Sequence, residues 1–311
     1  MSNASLFNPA DDAAYHRLRA TLAGLGDRPP RPMASHHIVL RGMRFHYLAW
    51  GAPDAPPLLF LHGGGQTCHT WELVCDALAD RYHCLALDQR GHGDSEWSYE
   101  GDYSPPAQSG DIAAFIDALG LAQPVIVGMS MGCLNGLYTA ISQPEAVSAL
   151  VAIDAGPWIN IAGAGPIHDF MRTVTTLDQL ADFVAAALRF NPRRDERLLR
   201  RSLLHNLRRC ADGRLMWKTD LRHQRDLAAI AGWITPLRDR VGDVRCPVLV
   251  VRGGNSAVMS DDDAARFAAA VPDGRWVRID NAGHAVQGDQ PKALIAVLED
   301  FLGTVPRCKS R

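Results

Sequence analysis

The chain has 311 residues, of which 47% are hydrophobic and 21% charged. This length is ordinary for a single large α/β domain with an insertion, and the composition allows a sizeable core and excludes a globally disordered chain. The formal net charge of −2 and the pI near 6.6 give no basis for a nucleic-acid partner. No apolar run approaches the roughly 18 residues that a membrane span needs. The N-terminus carries acids where a signal peptide has basic residues, so we expect a cytoplasmic protein.

The first part of the chain predicts an extension followed by strands. Residues 1–35 are predicted to form an N-terminal extension with a short helix over residues 10–25. The stretches HHIVLRG and MRFHYLAWG alternate apolar and polar residues around Gly42, which predicts a hairpin. PPLLFLHGGGQ is a continuous apolar run that ends in glycines, as buried parallel strands do.

The rest of the chain alternates strand and helix patterns with one interruption. TWELVCDALADRY, DIAAFIDALGL and SMGCLNGLYTAISQ have helical periodicity, and HCLALD, PVIVGM and AVSALVAIDAG read as strands. The alternation stops over residues 157–240, an arginine-rich and mostly helical stretch, and then resumes. It predicts a doubly wound, mostly parallel sheet. The core would comprise residues 36–156 and 241–311, with a helical cap at 157–240.

The seven cysteines are an odd number without a C-x-x-C pair. This pattern indicates neither a disulfide framework nor a zinc site, and it suits a reducing cytoplasm. We expect no cofactor and no metal requirement. The partner predicted is a small-molecule substrate, and the oligomeric state is left open, a homodimer included.

The stretch VIVGMSMGCLNGL carries Ser130 within a G-x-S-x-G pattern, Gly128 to Gly132. A strand that enters a helix with almost no loop strains the backbone at the serine, so small neighbours are needed on both sides. The hydroxyl would lie at the start of a helix, which favours developing negative charge. A glycine-flanked turn serine that only caps a helix is the alternative interpretation.

Two further loops supply candidate partners for this serine. His62 is followed by three glycines, and an N–H from this loop, with Gly64 favoured, would pair with that of Met131 as an oxyanion hole. His284, in the late loop NAGHAVQGDQP, is the predicted general base, since histidine titrates near neutrality. A flexible turn and a solvated histidine are the corresponding alternatives.

These motifs resemble the α/β-hydrolase fold superfamily over about residues 36–311. LHGGGQT, DQRGHGDS, GMSMG and NAGH occur in that family's order and spacing. The resemblance implies an eight-stranded, mostly parallel sheet with a helical cap inserted after the sixth strand. It implies Ser130 as nucleophile, His284 as base and backbone donors near Gly64 and Met131.

The resemblance also implies that Asp88, Arg90 and Asp94, within DQRGHGDS, hold a turn and do no chemistry.

The acid of the expected triad is missing from its usual place after the seventh strand. The stretch VVRGGNSAVMS, residues 250–260, contains no carboxylate. We favour Asp154, which ends the preceding strand on the same sheet edge. The alternatives are the acids at 261–263, Asp261, Asp262 and Asp263, which look like a helix start, and Asn255 as a neutral orienting group.

Aromatic residues of the cap are candidates for the substrate pocket, because such pockets are mostly apolar. We expect Trp158, Phe170 and either Met129 or Met131 near the substrate. The arginines of this segment are predicted to form a solvated face, with carboxylate binding by one of them as the alternative. They are Arg193, Arg194, Arg197, Arg200, Arg201, Arg208 and Arg209.

The leading functional hypothesis is a serine hydrolase that cleaves a carboxylic ester, thioester or lactone through an acyl-enzyme. The second is a cofactor-independent oxygenase or C–C bond hydrolase that uses the same Ser/His pair. The third is a non-catalytic ligand-binding member of the same fold. Haloalkane dehalogenases and epoxide hydrolases are disfavoured, because they carry aspartate where Ser130 stands.

Overall fold

A computed structural model describes residues 9–190, 194–224 and 227–306. The strands are β1 (Met33–Leu40), β2 (Met43–Trp50), β3 (Pro57–Leu61), β4 (His83–Leu87), β5 (Val125–Met129), β6 (Ala149–Ile153), β7 (Thr176–Leu177), β8 (Leu207–Arg209), β9 (Leu215–Trp217), β10 (Val248–Gly253) and β11 (Gly274–Ile279). The helices are α1 (Pro9–Leu22), α2 (Glu72–Leu78), α3 (Pro105–Ala118), α4 (Met131–Ser142), α5 (Gly165–Thr173), α6 (Leu180–Phe190), α7 (Glu196–Asn206), α8 (Leu227–Arg240), α9 (Asp261–Ala270), α10 (Val286–Asp289) and α11 (Pro291–Thr304). Among these described helices, none is both long and apolar enough to cross a membrane.

Eight strands form one sheet in the order β1-β2-β4-β3-β5-β6-β10-β11. β2 pairs antiparallel with β1 and β4, and the remaining neighbours are parallel. The predicted eight-stranded, mostly parallel sheet is therefore confirmed. After β3 the chain adds β4 on one side and β5 on the other, so the crevice where ligands bind in such sheets opens between the carboxyl ends of β3 and β5.

Helices cover both faces of this sheet, as the doubly wound prediction requires. One apolar core joins the sheet to α3, α4, α8 and α9, with Phe115 and Phe267 fully buried. The other core joins it to α2 and α11 through residues such as Leu78 and Leu298. β3, β5 and β6 are almost wholly buried, which explains why their sequences are continuous apolar runs.

The interruption in the strand–helix alternation lies between β6 and β10, which are neighbours in the sheet. It contains α5 to α8 and its own apolar core, with Phe183 and Trp217 buried. It also contains a small antiparallel sheet in the order β7-β9-β8, so the mostly helical prediction missed three strands. The limits of 157 and 240 for a cap stay a prediction.

The N-terminal extension packs against the core through a buried ion pair. Arg19 of α1 donates from Nε to an oxygen of Asp76 at 2.9 Å, and the Arg31 N–H donates to the other oxygen at 2.7 Å. The helix predicted over residues 10–25 is α1. The predicted hairpin is β1 and β2, joined by Arg41 and Gly42 at φ +50° and +79°, a two-residue turn that suits the strand twist.

The DQRGHGDS loop after β4 is held by its charged residues. Asp88 accepts hydrogen bonds from His46 Nδ1 at 2.7 Å and from the Asp94 N–H at 3.0 Å. Arg90 Nη2 donates to Asp111 of α3 at 2.7 Å. These contacts anchor the loop, whereas Asp94 itself forms an ion pair with Lys218 of the inserted segment at 2.8 Å.

Candidate active site

Ser130 stands between the end of β5 and the start of α4, in a backbone conformation of φ +52° and ψ −114°. This region is costly for a residue with a side chain and persists only when the surroundings impose it. The Ser130 N–H donates to the Ile153 carbonyl at 3.0 Å, and its carbonyl accepts from the Cys133 N–H at 3.0 Å. The sharp turn therefore points the hydroxyl to the carboxyl edge of the sheet.

The two glycines of the motif are required by close backbone packing. A Cβ at Gly128 would lie 2.4 Å from the Gly132 carbonyl oxygen, and one at Gly132 would lie 2.3 Å from the Leu61 carbonyl oxygen. Both distances are far inside van der Waals contact. The G-x-S-x-G pattern thus reflects α4 pressing its first turn against β3 and β5.

Gly132→Ala is expected to destabilise the fold by more than about 2 kcal/mol, because backbone cannot yield as a flexible side chain does. Gly303 in α11 is the matched control, since a Cβ there meets nothing within 4 Å. Gly303→Ala should be neutral or stabilise by up to about 1 kcal/mol through helix propensity. Urea unfolding of both variants measures the difference, and equal stability would contradict the packing argument.

His284 lies in the loop after β11 and joins two other polar groups. Its Nε2 is 3.0 Å from Ser130 Oγ, and its Nδ1 is 2.7 Å from Asp154 Oδ2. A carboxylate only accepts hydrogen bonds, so Nδ1 carries the proton and Nε2 faces the serine hydroxyl as acceptor. This is the tautomer that a general base for Ser130 needs.

Asp154 ends β6 and is completely buried. Its backbone φ of +51° turns the side chain toward the neighbouring strand. Oδ1 accepts from the Gly253 N–H at 2.9 Å, and Oδ2 accepts from the Ser256 hydroxyl and from His284. The structure thus brings Asp154, the acid favoured from the sequence, into contact with His284, and both of its carboxylate oxygens accept hydrogen bonds.

The stretch after β10, where the acid is usually found, supports Asp154 instead of replacing it. Asn255 is exposed, and its N–H donates to the Ala282 carbonyl at 2.7 Å. Ser256 supplies the hydroxyl that binds Asp154. Sequence reasoning missed Ser256, because a serine in a loop carries no local signal of a partner on another strand.

The acids at the start of α9 have other partners. Ser260 and Asp263 form a reciprocal capping box, and Asp261 lies 3.2 Å from Arg252 and from Arg278. No described contact joins any of the three aspartates to His284. Capping and surface ion pairs account for Asp261 and Asp263.

Ser256→Ala is expected to lower kcat roughly 10- to 100-fold, because one hydrogen bond to a charged group is worth about 1.5–3 kcal/mol. Ser260→Ala removes a nearby hydroxyl that caps α9, so it should cost about 1 kcal/mol of stability with little change in kcat. Steady-state kinetics and thermal unfolding of the two variants separate the effects. Equal kcat losses would show that Ser256 does not act through Asp154.

The glycine loop after β3 is held by His62. His62 Nε2 accepts from the Gln89 N–H at 3.0 Å, so Nδ1 carries the proton and donates to the Gly63 carbonyl at 2.8 Å. Burial lowers the pKa of His62, which keeps the ring neutral in this role. The ring therefore fixes the loop that the sequence predicts to contribute an oxyanion donor.

Gly64 lies in the glycine loop after β3, and Met131 is the first residue of α4, directly after Ser130. Among the described residues, neither N–H has a hydrogen-bond acceptor. The space beside Gly64 is open, since a Cβ there would meet nothing within 4 Å. Both N–H groups are therefore available as donors, as far as the described protein groups are concerned, near the edge where Ser130 stands.

The three predicted substrate-binding residues lie in different surroundings. Met129 is buried beneath Ser130, and its sulfur would be 2.5 Å from a Cβ at Gly63. Trp158 is half-buried and lies under the Arg266 guanidinium, 5.6 Å from the ring centre. Phe170 contacts Trp217 edge-on in the core of the inserted segment, with ring centres 5.9 Å apart. No described contact joins Trp158 or Phe170 to Ser130 or His284, so their role stays a prediction.

The prediction of a solvated arginine face is wrong for Arg201. Its guanidinium donates to Glu72 Oε2 at 2.9 Å and lies 3.7 Å from the centre of the Tyr15 ring. Arg197 fits the prediction, because it is exposed and forms an ion pair with Asp195. Arg193 lies outside the described residues.

The chain is similar in sequence to proteins of known family and activity. The sequence model of the family described as alpha/beta hydrolase fold matches residues 56–291. The chain is 35% identical over 268 residues to esterase Rv0045c of Mycobacterium tuberculosis, covering 83% of this chain and 86% of that protein. It is 27% identical over 277 residues to 2-(acetamidomethylene)succinate hydrolase of Mesorhizobium japonicum, covering 87% and 97%.

Solved structures agree with these matches. The crystal structure of the esterase Rv0045c superposes with a TM-score of 0.76 at 30% identity, covering 96% of this chain and all of that one. A second structure of that esterase, from work on its inhibition by transition metals, has a TM-score of 0.78 at 30% identity over the same shares of the two chains.

Proposed function

The chain belongs to the α/β-hydrolase fold family, and from that premise we propose that it is a serine hydrolase that cleaves a carboxylic ester, thioester or lactone. The observation that carries the proposal is the continuous hydrogen-bonded series from Ser130 Oγ through His284 to buried Asp154. Similarity to a protein named as an esterase over most of both chains supports the same class.

The proposed reaction proceeds through an acyl-enzyme. His284 Nε2 takes the proton of Ser130 as Oγ attacks the carbonyl carbon, and Asp154 stabilises the imidazolium that forms. The N–H groups of Gly64 and Met131 would bind the developing oxyanion. The imidazolium then protonates the leaving oxygen or sulfur, and water, activated by the same histidine, releases the acid.

Other parts of the proposal rest on the sequence alone. They are a small-molecule substrate, a cytoplasmic location, no nucleic-acid partner, and catalysis without a metal or organic cofactor. Met129, Trp158 and Phe170 are kept as candidate pocket residues, and residues 157–240 as the cap that carries two of them.

The second candidate is C–C bond hydrolysis or cofactor-independent oxygenation by the same residues. The observation that favours it is the contact of His284 with an acid at the end of β6, because the family resemblance implies that members with a Ser/His pair and the acid on this strand include such enzymes. In that case His284 would deprotonate a substrate hydroxyl, and Ser130 would hold the substrate without forming an ester.

A fluorophosphonate probe and p-nitrophenyl acetate test the proposal. We expect stoichiometric labelling of Ser130 and an acyl-enzyme detectable by mass spectrometry. Turnover of a phenolic ketone with oxygen uptake and no acyl-enzyme would favour the oxygenase. Ligand binding without turnover across a panel of esters, thioesters and lactones would point to a binding protein.

A further inference from the structure

Three side chains with metal-binding groups meet at the contact between the inserted segment and the core. His69 lies in the turn before α2, Glu72 begins α2, and His205 lies in the last turn of α7. Their ligand atoms all lie within 4.8 Å of one another. Glu72 and His205 are buried, and His69 is partly exposed, so solvent reaches the cluster from one side.

Small side-chain movements would bring these ligand atoms to the spacing of a coordination sphere. Glu72 Oε1 is 2.6 Å from His69 Nδ1 and 3.5 Å from His205 Nε2. Bonds of about 2.0–2.1 Å in tetrahedral geometry hold ligand atoms about 3.3 Å apart. The two imidazoles are stacked, with ring centres 3.4 Å apart and planes 15° from parallel. Rotation of the partly exposed His69 ring would open the stack and bring both nitrogens toward one ion.

We propose that His69, Glu72 and His205 form a binding site for a divalent transition metal ion such as Zn²⁺, and that occupancy of this site slows turnover. Two imidazoles and one carboxylate suit Zn²⁺, Ni²⁺ and Cu²⁺ and disfavour Mg²⁺ and Ca²⁺, which prefer oxygen ligands. A water on the open side would complete the sphere.

Arg201 orients Glu72 in this site and lowers the affinity of the site for a cation. It binds Glu72 Oε2, which leaves Oε1 directed at the two histidines, as an outer-shell partner does. Its positive charge also opposes the bound cation. We therefore expect a reversible site filled at micromolar metal, weaker than a closed structural zinc site.

The position of the cluster connects it to the catalytic loops. Asn206, next to His205, donates from Nδ2 to the Gly65 carbonyl at 3.3 Å, and Thr67 Oγ donates to Asn206 Oδ1 at 3.2 Å. A metal ion would tie the end of α7 to the turn that follows the glycine loop. Fixing that contact would restrain the inserted segment, which the sequence predicts to form a cap that carries two candidate pocket residues, and restraint of such a segment slows the entry of substrate and the release of product.

The second group of potential ligands in the described chain, His46, Cys68 and Asp88, is a structural network. His46 binds Asp88 at 2.7 Å through Nδ1 and Ser35 at 2.9 Å through Nε2. Asp88 also accepts from the Cys68 N–H at 2.6 Å. All three residues are buried, so an ion has no open side from which to enter.

The test uses the full chain freed of metal with EDTA and then dialysed. Zn²⁺ binding is followed by isothermal titration calorimetry, and the Co²⁺ complex by its visible spectrum. We expect one equivalent bound, with affinity at least about tenfold weaker in His69→Gln and in His205→Gln. The exposed histidine variant His36→Gln is the control and should bind as the parent does. Equal affinity in both cluster variants would overturn the site.

Inhibition is measured separately, with p-nitrophenyl acetate, and this part rests on the proposed function. We expect Zn²⁺ to slow the parent and His36→Gln, and to slow the two cluster variants only at about tenfold higher metal, each relative to its own rate without metal. Binding without inhibition would overturn the regulatory claim. Metal binding is measured without turnover, so the binding experiment still tests the site if the esterase proposal fails.

If both cluster variants fail to fold, the visible spectrum of the Co²⁺ complex of the unaltered chain tests the site instead, because it reports imidazole ligation. A spectrum without nitrogen ligands would overturn the site.

Discussion

Ser130→Ala is expected to lower kcat by a factor on the order of 10⁵ to 10⁶, the range that loss of a serine nucleophile produces. The hydroxyl lies 3.0 Å from His284 Nε2, so it is the group that the histidine would activate. Alanine keeps the Cβ but offers no atom for covalent attack. Residual activity would come from the oxyanion donors and from substrate binding alone.

The fold should survive this change. The turn at Ser130 is held by backbone hydrogen bonds to Ile153 and Cys133, which alanine retains. Thermal unfolding should shift by only a few degrees, and binding of a substrate analogue should persist. Activity within about tenfold of the parent, in a protein that is shown by mass spectrometry to carry the substitution, would rule out nucleophilic catalysis by Ser130.

The large sheet and the Ser130/His284 pair could be predicted because their signals are local. Strands such as β5 are buried on both faces and read as continuous apolar runs. The two glycines beside Ser130 are required by close backbone contacts among β3, β5 and α4. Each such pattern extends over about a dozen residues of sequence, so the chain itself displays it.

The features that could not be predicted from the sequence depend on contacts between distant segments of the chain. β8 and β9 are three residues each, and LRR carries no strand signal; their pairing stabilises them. Ser256 acquires its role only because Asp154 comes from another strand. His69 and His205 likewise look like isolated histidines until α7 folds back on α2.

Asp154→Asn tests the acid, and its expected effect follows from hydrogen-bond chemistry. The carboxylate accepts from three donors: Gly253 on one oxygen, and Ser256 and His284 on the other. An asparagine replaces one of these oxygens with an NH₂ group, which cannot accept. If the amide oxygen faces His284, the NH₂ group opposes the Gly253 N–H. In the flipped orientation the NH₂ group donates to Nδ1, and the proton moves to Nε2, where it blocks the transfer from Ser130.

We therefore expect Asp154→Asn to lower kcat by about 10⁴, the effect of the wrong tautomer and of a lost counter-charge in the comparable chymotrypsin substitution. Asn255→Ala and Asp261→Asn are the controls and should stay within about tenfold of the parent, since neither residue contacts His284. Steady-state kinetics with p-nitrophenyl acetate measure kcat of each variant, and thermal unfolding shows that each variant is folded. If Asp154→Asn folds and retains activity within about tenfold, or if Asp261→Asn loses more, the acid has been misassigned. The Ser130/His284 pair would then stand without it, because the contact between those two side chains does not depend on which carboxylate lies behind the ring.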